Sequence, residues 1–197
     1  MVTAAASCIP EKARPASYCL EGFLNTILTS CATVDEVLKN QGLLTSPAFY
    51  LVADRSKIAI IEVGLNEERA IKVTDHDVLS HTNHYLDKNL LETNKQFNLS
   101  SHLRLIRIQY LLKAQRRPFT LQDFITISQD RHDYPDNSIW REGSSPKKVH
   151  TLSTWIVSLP DNDAPMLYVK MANPHEPPKT NFYKLDASFW ANGLRGD

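Results

Sequence analysis

The stretch Phe49-Tyr50-Leu51-Val52-Ala53-Asp54-Arg55-Ser56-Lys57-Ile58-Ala59-Ile60-Ile61-Glu62-Val63 decides the fold class. Residues 50–53 and 58–63 are rich in β-branched and aromatic side chains, a composition that is typical of strands. The four residues between them are polar or charged and have the composition of a turn. The stretch therefore predicts a β-hairpin near the middle of the first half of the chain.

Helical patterns and further strand-like runs lie on both sides of this hairpin. Upstream, apolar residues recur at three- and four-residue steps over residues 20–38, and Thr33 followed by Glu36 fits a capping box. This pattern predicts two consecutive helices hinged near residues 30–33. Downstream, we expect helices over residues 100–115 and from Thr120 or Gln122 to residue 128. Further strands are predicted at residues 70–74, 78–82, 149–159, 166–171 and 181–185. Blocks of strands beside blocks of helices predict an α+β fold.

The composition is that of an ordinary globular protein. The chain has 197 residues, of which 42% are hydrophobic and 22% charged, so we expect a single domain over residues 1–197. The 22 basic residues balance the 22 acidic ones, which argues against nucleic acid or an anionic membrane as a partner. Three cysteines without framework spacing, and no recognisable signal peptide or membrane span, predict a cytoplasmic protein.

None of the three cysteines has the local surroundings of an activated thiol. Cys31 continues an apolar helical stripe, where a cysteine is usually a small buried hydrophobe. Cys19 has no histidine or arginine beside it that would stabilise a thiolate. Cys8 precedes Pro10, which removes a backbone donor that an oxyanion site would use. An ordinary structural role is favoured for all three, and whether any of them reacts stays open.

The segment His81-Thr82-Asn83-His84 follows an apolar run. Two histidines three residues apart point to opposite faces of a strand, and no cysteine or carboxylate cluster accompanies them, so we expect no metal. Asn83 has two interpretations. An asparagine at a strand end is commonly a turn former, whereas a carboxamide aimed into a cleft donates an N–H to a developing oxyanion.

Two other polar groups have open interpretations. Arg104 lies between apolar neighbours on a predicted helix, so it is either a solvated surface arginine or a partly buried one that holds a carboxylate or carbonyl. His132 and Asp133 are adjacent, which does not suit triad geometry, and they indicate an ordered loop. The chain has no phosphate-binding loop, dinucleotide fingerprint or Cys-x-x-Cys motif, so we expect no cofactor.

Taken together, several blocks resemble the acyl-coenzyme A:6-aminopenicillanic acid acyltransferase-like family over residues 20–185. This family belongs to the N-terminal nucleophile hydrolases and is related to the choloylglycine hydrolases. The order and spacing of the blocks carry the resemblance, and each block is similar to a family pattern. They are residues 31–37 (T-V-D-E-A), 50–54 with 60–63 (x-L-A-D and x-x-E-V), 81–85 (x-T-N-H-F), Ser101-x-x-Arg104-x-x-Arg107 (S-x-x-R-x-x-R), 132–139 (D-H-x-x-P-x-S-I-C), and the closing strands at 168–169 and 183–185.

The resemblance implies a four-layer αββα sandwich and a cysteine at a processed N-terminus. Its thiol attacks an amide or thioester carbonyl while its own α-amine serves as base. The resemblance places Asn83 at the family's active-site asparagine and Arg104 at its arginine near the nucleophile. It also implies a strand over residues 1–7, where Ala5 replaces the asparagine of the family's V-T-x-N block. Trp140 stands where the family usually has cysteine.

The family's Gly-Cys-Thr processing site does not occur in this sequence, so the sandwich is expected to be incomplete at its N-terminus. We therefore expect the C-terminal part of a hydrolase or acyltransferase for linear amide C–N bonds or acyl thioesters, inactive by itself. Its expected partners are a small-molecule substrate and either a missing N-terminal chain or a second copy. The alternative is a non-catalytic binding or scaffold protein built on the truncated fold. A metal hydrolase using His81 or His84 ranks third.

Overall fold

The computed structural model describes residues 1–6, 9, 10, 12, 14 and 23–192 of the chain. Helices and antiparallel strands occur in separate blocks, so the fold class is α+β, as predicted. In chain order the elements are β1 (Val2–Ala6), α1 (Phe23–Ser30), α2 (Val34–Lys39), β2 (Ala48–Ala53), β3 (Ile58–Val63), β4 (Arg69–Thr74), α3 (Leu99–Ala114), α4 (Leu121–Ser128), β5 (Ser153–Ser158), β6 (Met166–Met171), β7 (Lys179–Lys184) and α5 (Ala187–Asn192). They form two compact units, Met1–Leu105 and Ile106–Asp197. The expectation of one domain stays a prediction.

The predicted break between the first two helices lies where the sequence placed it. The Thr33 side chain accepts the N–H of Glu36 at 3.2 Å and caps the start of α2. The Glu36 carboxylate in turn accepts the N–H of Ala32 at 2.6 Å. The first turn of a helix has N–H groups without intrahelical acceptors, so these two side chains stabilise the helix start at Thr33.

The predicted hairpin is the centre of the sheet in the first unit. β2 and β3 pair antiparallel, and the four strands follow the order β1-β2-β3-β4. In the turn, Asp54 accepts the backbone N–H groups of Ser56 and Lys57 at 2.7 and 2.9 Å, and that of Val34 at 2.8 Å. Burial by itself would raise the pKa of Asp54, but these donors outweigh it and lower the pKa to about 2.

The two faces of this sheet have different roles. One face packs against α1 and α2 and forms the main apolar core of the unit, which comprises Ile27, Val34, Val37, Leu44, Ala48, Tyr50, Val52, Ala59, Ile61 and Val63. Side chains alternate along a strand, so the residues between these face the other way. On that second face Ala5 of β1, Phe49 of β2 and Glu62 of β3 lie in one cross-strand row. Thr3, Leu51 and Ile60 form the next row.

The strand predicted at residues 78–82 is wrong, because residues 75–90 contain no strand. Their backbone donors are bound by side chains and not by a neighbouring strand. Val78 N–H donates to the carboxylate of Asp77 at 2.8 Å, and Asn83 N–H donates to Ser101 Oγ at 2.7 Å. The fourth place in the sheet is taken by β1, the strand that the family resemblance implied.

The second unit is built on a three-stranded antiparallel sheet of order β5-β6-β7. α4 contacts β5, and a capping box between Thr120 and Asp123 marks the start of α4, as predicted. β5 begins at Ser153, later than predicted, because Thr151 N–H donates to the carbonyl of Arg141 at 2.9 Å. β6 has the predicted bounds, and β7 begins two residues earlier than predicted, at Lys179.

Candidate functional site

A cavity of about 230 Å³ lies on the second face of the sheet in the first unit. Its apolar wall is made by side chains from β1, β2 and β3, among them Ala5, Phe49, Leu51 and Ile60. Its polar wall is made by the segment after β4, with His81, Thr82 and Asn83, by Arg104 of α3, and by Thr3 of β1. None of the described residues that line the cavity is acidic, so Arg104 makes its lining electropositive.

Asn83 and Arg104 contact each other at this wall. Arg104 Nη2 donates to Asn83 Oδ1 at 3.0 Å, and Arg104 Nε donates to Ser100 Oγ at 3.4 Å. A guanidinium only donates hydrogen bonds, so it holds the carboxamide with its oxygen toward Arg104. The Nδ2 end, which is the donor end, then lies on the opposite side of the carboxamide. The contact also polarises the carboxamide and makes Nδ2 a stronger donor.

Ser101 holds the backbone of Asn83 in place. The Ser101 side chain is fully buried in the first turn of α3, and its Oγ accepts the Asn83 N–H at 2.7 Å. The Thr82 hydroxyl donates to the Ser101 carbonyl at 3.0 Å, and Ser101 Oγ lies 2.8 Å from His84 Nδ1. Three consecutive residues are thus bound to one serine, which limits the positions that Asn83 can occupy.

His84 is a buried, neutral histidine. Only 4% of its surface is exposed, and its ring packs against that of His102 with centroids 3.8 Å apart. Burial is the main reason why the pKa of His84 is lowered to about 4, and repulsion by His102 and His81 lowers it further. Nδ1 of the neutral His84 lies 2.8 Å from Ser101 Oγ and 3.2 Å from Thr82 Oγ1, and Ser101 Oγ donates to Thr82 Oγ1 at 3.0 Å, which completes the network around Asn83.

His81 faces two acceptors. Its Nε2 lies 2.7 Å from Glu62 Oε1, and its Nδ1 lies 2.6 Å from the Thr82 carbonyl oxygen. The side chains of His81 and Glu62 are 8% and 5% exposed. The imidazole also packs on the ring of Phe49 at a centroid distance of 4.3 Å. His81 is therefore bound to Glu62 and His84 to Ser101, and Thr82 contacts both histidines, through its carbonyl and its hydroxyl oxygen.

A family model described as acyl-coenzyme A:6-aminopenicillanic acid acyl-transferase matches residues 10–176, which is most of the chain. The chain belongs to this family. The match confirms the resemblance that the order of the sequence blocks indicated. No curated protein matches the chain. The family is one of acyl-transferases, and acyl-transferase or hydrolase chemistry on a small-molecule substrate is the activity class that it indicates.

Membership in the acyl-transferase family gives weight to the residues at the cavity. Asn83 and Arg104 are the two predicted site residues, 21 positions apart in sequence, and the structure brings them into contact. Their catalytic role stays a prediction. Arg107, the other arginine of the helical motif, lies in the second unit, where its guanidinium binds Asp130 with nitrogen–oxygen distances of 2.7 and 3.1 Å.

Cys31, the cysteine among the described residues, does not line the cavity. Cys31 follows α1, where its N–H donates to the Ile27 carbonyl at 2.9 Å, and its side chain packs at the edge of the main apolar core, as the helical stripe predicted. Cys8 and Cys19 lie outside the described residues. His132 and Asp133 lie in the loop after α4, and His132 N–H donates to Asp130 Oδ1 at 3.2 Å.

Two polar residues at the site, Glu62 and Ser101, were not among the predicted site residues. Glu62 is the one charged residue in the apolar run 58–63, and a carboxylate inside a strand of that kind signals a buried acceptor. In the sequence, Ser101 stands out only as the first residue of the helical motif Ser101-x-x-Arg104-x-x-Arg107. A serine pair before a helix usually indicates a cap, which gives no sign that one hydroxyl binds a distant backbone.

The described part of the chain offers neither a candidate metal site nor a candidate membrane span. No group of three or more histidine, cysteine, aspartate or glutamate side chains there is arranged to hold a metal ion. Likewise, no helix within the described ranges has the length and apolar character needed to cross a membrane.

Proposed function

We propose that the cavity is the carbonyl-binding half of an acyl-transfer site, for substrates with a linear amide C–N bond or an acyl thioester. The observation that carries this proposal is the 3.0 Å hydrogen bond from Arg104 to the carboxamide oxygen of Asn83 at the cavity wall. It supports the role because it orients Asn83 as a donor. The apolar wall from the sheet suits the hydrocarbon part of a short acyl group.

In this proposal Asn83 Nδ2 donates to the substrate carbonyl oxygen. When a nucleophile adds to the carbonyl carbon, the π electrons move to this oxygen and it becomes negative. A donor that is already fixed in place stabilises this charge more than it stabilises the neutral carbonyl, which lowers the barrier. Arg104 acts on this oxygen indirectly, through the carboxamide that it polarises. Family membership is consistent with this chemistry.

We further propose that the nucleophile is the thiol of an N-terminal cysteine that none of the described residues supplies. Its sulfur would bond to the carbonyl carbon, its proton would pass to the α-amine, and the oxyanion would collapse with release of the protonated amine or of a thiol. Water or an acceptor amine would then take the acyl group from the enzyme thioester. The complete fold would be the four-layer αββα sandwich of N-terminal nucleophile hydrolases, and this chain alone would not turn over substrate.

A binding measurement tests the carbonyl-binding role without turnover. Hexanamide is a suitable probe because it combines a linear amide with a short apolar chain. We expect it to bind the cavity, and Asn83→Ala to weaken its affinity about tenfold or more, since a hydrogen bond to a polarised donor is lost. Asn89→Ala is the matched control, because Asn89 is exposed and lies away from the cavity lining. Equal affinities for the two variants would refute the role of Asn83.

A turnover measurement tests the proposed absence of a nucleophile. The chain is incubated with a panel of acyl amides and acyl thioesters, and iodoacetamide labelling of its three cysteines is followed by mass spectrometry. We expect no release of amine or thiol, and slow, uniform labelling. Turnover that is abolished when one cysteine is alkylated would identify that cysteine as a nucleophile and refute this part of the proposal. Binding of hexanamide without turnover, even after an N-terminal partner chain is supplied, would favour the alternative of a binding or scaffold protein.

A further inference from the structure

Glu62 is a carboxylate enclosed in the first unit, with 5% of its side chain exposed. It lies opposite Phe49 on the cavity side of the sheet. Glu62 Oε1 accepts the N–H of Leu86 at 2.9 Å, and Oε2 accepts the N–H of Asp87 at 3.1 Å. A carboxylate is strongly disfavoured in an enclosed site unless donors replace its lost water. These two backbone donors and the imidazole of His81 are those replacements.

The hydrogen bonds of His81 determine where its protons lie. Nδ1 faces the carbonyl oxygen of Thr82 at 2.6 Å, and a carbonyl only accepts, so Nδ1 carries a hydrogen. Nε2 faces Glu62 Oε1 at 2.7 Å, so a second proton lies between these two atoms. Because the Glu62 oxygens already accept two backbone N–H groups, the ionised carboxylate is favoured and this proton belongs to Nε2. Both nitrogens of His81 then donate, Nδ1 to the Thr82 carbonyl and Nε2 to Glu62.

The other charged or titratable groups around Glu62 and His81 do not take the place of either partner in this hydrogen bond. They are His84, His102, Arg104 and Asp87. His84 is neutral because its pKa is lowered to about 4, so it does not bring a competing charge to Glu62. Arg104 donates to the carboxamide of Asn83. The carboxylate of Asp87 accepts the N–H of Asn89 at 2.9 Å, whereas that of Glu62 contacts His81.

Glu62 therefore binds both ends of the segment that contains Asn83. His81 precedes Asn83 by two residues and Leu86 follows it by three, and both are held by the same carboxylate. We propose that Glu62 and His81 are positioning residues that fix Asn83 for carbonyl binding, a role that rests on the proposed function of the cavity. His81 lines the cavity, but both of its nitrogens are engaged, so neither side chain hydrogen-bonds the substrate in this role.

Nitrogen NMR of the histidine side chains in the whole chain tests the pair directly. We expect both nitrogens of His81 to carry hydrogen at neutral pH, and one of them to lose it in Glu62→Gln. We also expect Glu62→Gln to speed hydrogen exchange of the Asn83 amide about tenfold or more, since a charged acceptor of three hydrogen bonds is lost. Glu68→Gln is the matched control, because Glu68 is an exposed glutamate in the turn between β3 and β4.

The link to the cavity is tested with hexanamide, whose affinity we expect Glu62→Gln, and not Glu68→Gln, to weaken about tenfold or more. A wild-type His81 with one bare nitrogen at neutral pH would overturn the proposal, even if Glu62→Gln does not fold. So would unchanged Asn83 exchange in His81→Phe, which keeps an aromatic ring over Phe49 but removes both donors. Failure of the wild type to bind hexanamide refutes the proposed function instead, because the NMR and exchange results do not depend on a ligand.

Discussion

Acid should destabilise the first unit through His84. The pKa of this histidine is lowered from 6.5 to about 4 in the folded protein, chiefly because burial disfavours the imidazolium and then because His102 and His81 repel it. In the unfolded chain the side chain regains its ordinary pKa. Between pH 6.5 and 4 the unfolded chain therefore binds a proton that the folded chain does not. The contribution of His84 to the free energy of unfolding is fully present above pH 6.5 and is lost as the pH falls through about 4.

The size of the loss follows from the pKa difference. Each pKa unit corresponds to about 1.4 kcal/mol, so a difference between 6.5 and about 4 sets an upper limit of about 3.5 kcal/mol on the loss. Relaxation of the site and entry of water reduce this figure, and we expect about 1–3 kcal/mol. The pKa of Asp54 is lowered to about 2, so the loss of its contribution begins near pH 4 and falls in a separate range.

Hydrogen exchange of the β3 amides at a series of pH values, corrected for intrinsic rates, measures this loss in the unit that contains His84. Tryptophan fluorescence is unsuitable because all three tryptophans lie in Ile106–Asp197. His84→Gln keeps a hydrogen-bonding side chain beside Ser101 and removes the titration, so its stability should be flat between pH 6.5 and 4. His132→Gln, at an exposed loop position, is the control and should follow the wild type. Equal acid losses in the wild type and His84→Gln would refute the assignment.

Two predictions concern the second unit, and each is measured by urea unfolding followed by tryptophan fluorescence. Gly143 has φ +68°, and a Cβ there would lie 2.8 Å from the His150 ring, so Gly143→Ala should destabilise by about 1–2 kcal/mol. Gly42→Ala is the control, because there is open space around its new methyl group. Its stability, measured by urea unfolding followed by circular dichroism, should be nearly unchanged. A loss equal to that of Gly143→Ala would contradict the steric argument. Asp130→Asn should lower the free energy of unfolding by about 1–3 kcal/mol, because it leaves the partly buried Arg107 without its carboxylate. A decrease below about 0.5 kcal/mol would show that water replaces the ion pair.

The elements that could be predicted are those whose signals are local. The hairpin is marked by two β-rich runs and a polar turn, and the start of α2 is marked by Thr33 and Glu36, three residues apart. The pairing of β1 with β2 joins residues almost fifty positions apart and has no local signal. The contact between Asn83 and Arg104 depends on the path of a loop. Only the family resemblance, which carries information from other sequences, indicated that these two residues belong together.

The segment after the failed strand at residues 78–82 is held by side chains that also form the site. An apolar run with strand-like composition forms a ladder when a neighbouring strand supplies acceptors for its N–H groups. Within the run Val78 N–H donates to Asp77, and directly after it Ser101 and Glu62 accept the N–H groups of Asn83, Leu86 and Asp87. Side chains that replace a ladder must be buried, polar and fixed, and these are also the properties that hold a carboxamide in one orientation. Acceptors of this kind come from distant parts of the sequence, so local propensity does not reveal the segment that makes Asn83 suitable for binding a carbonyl group.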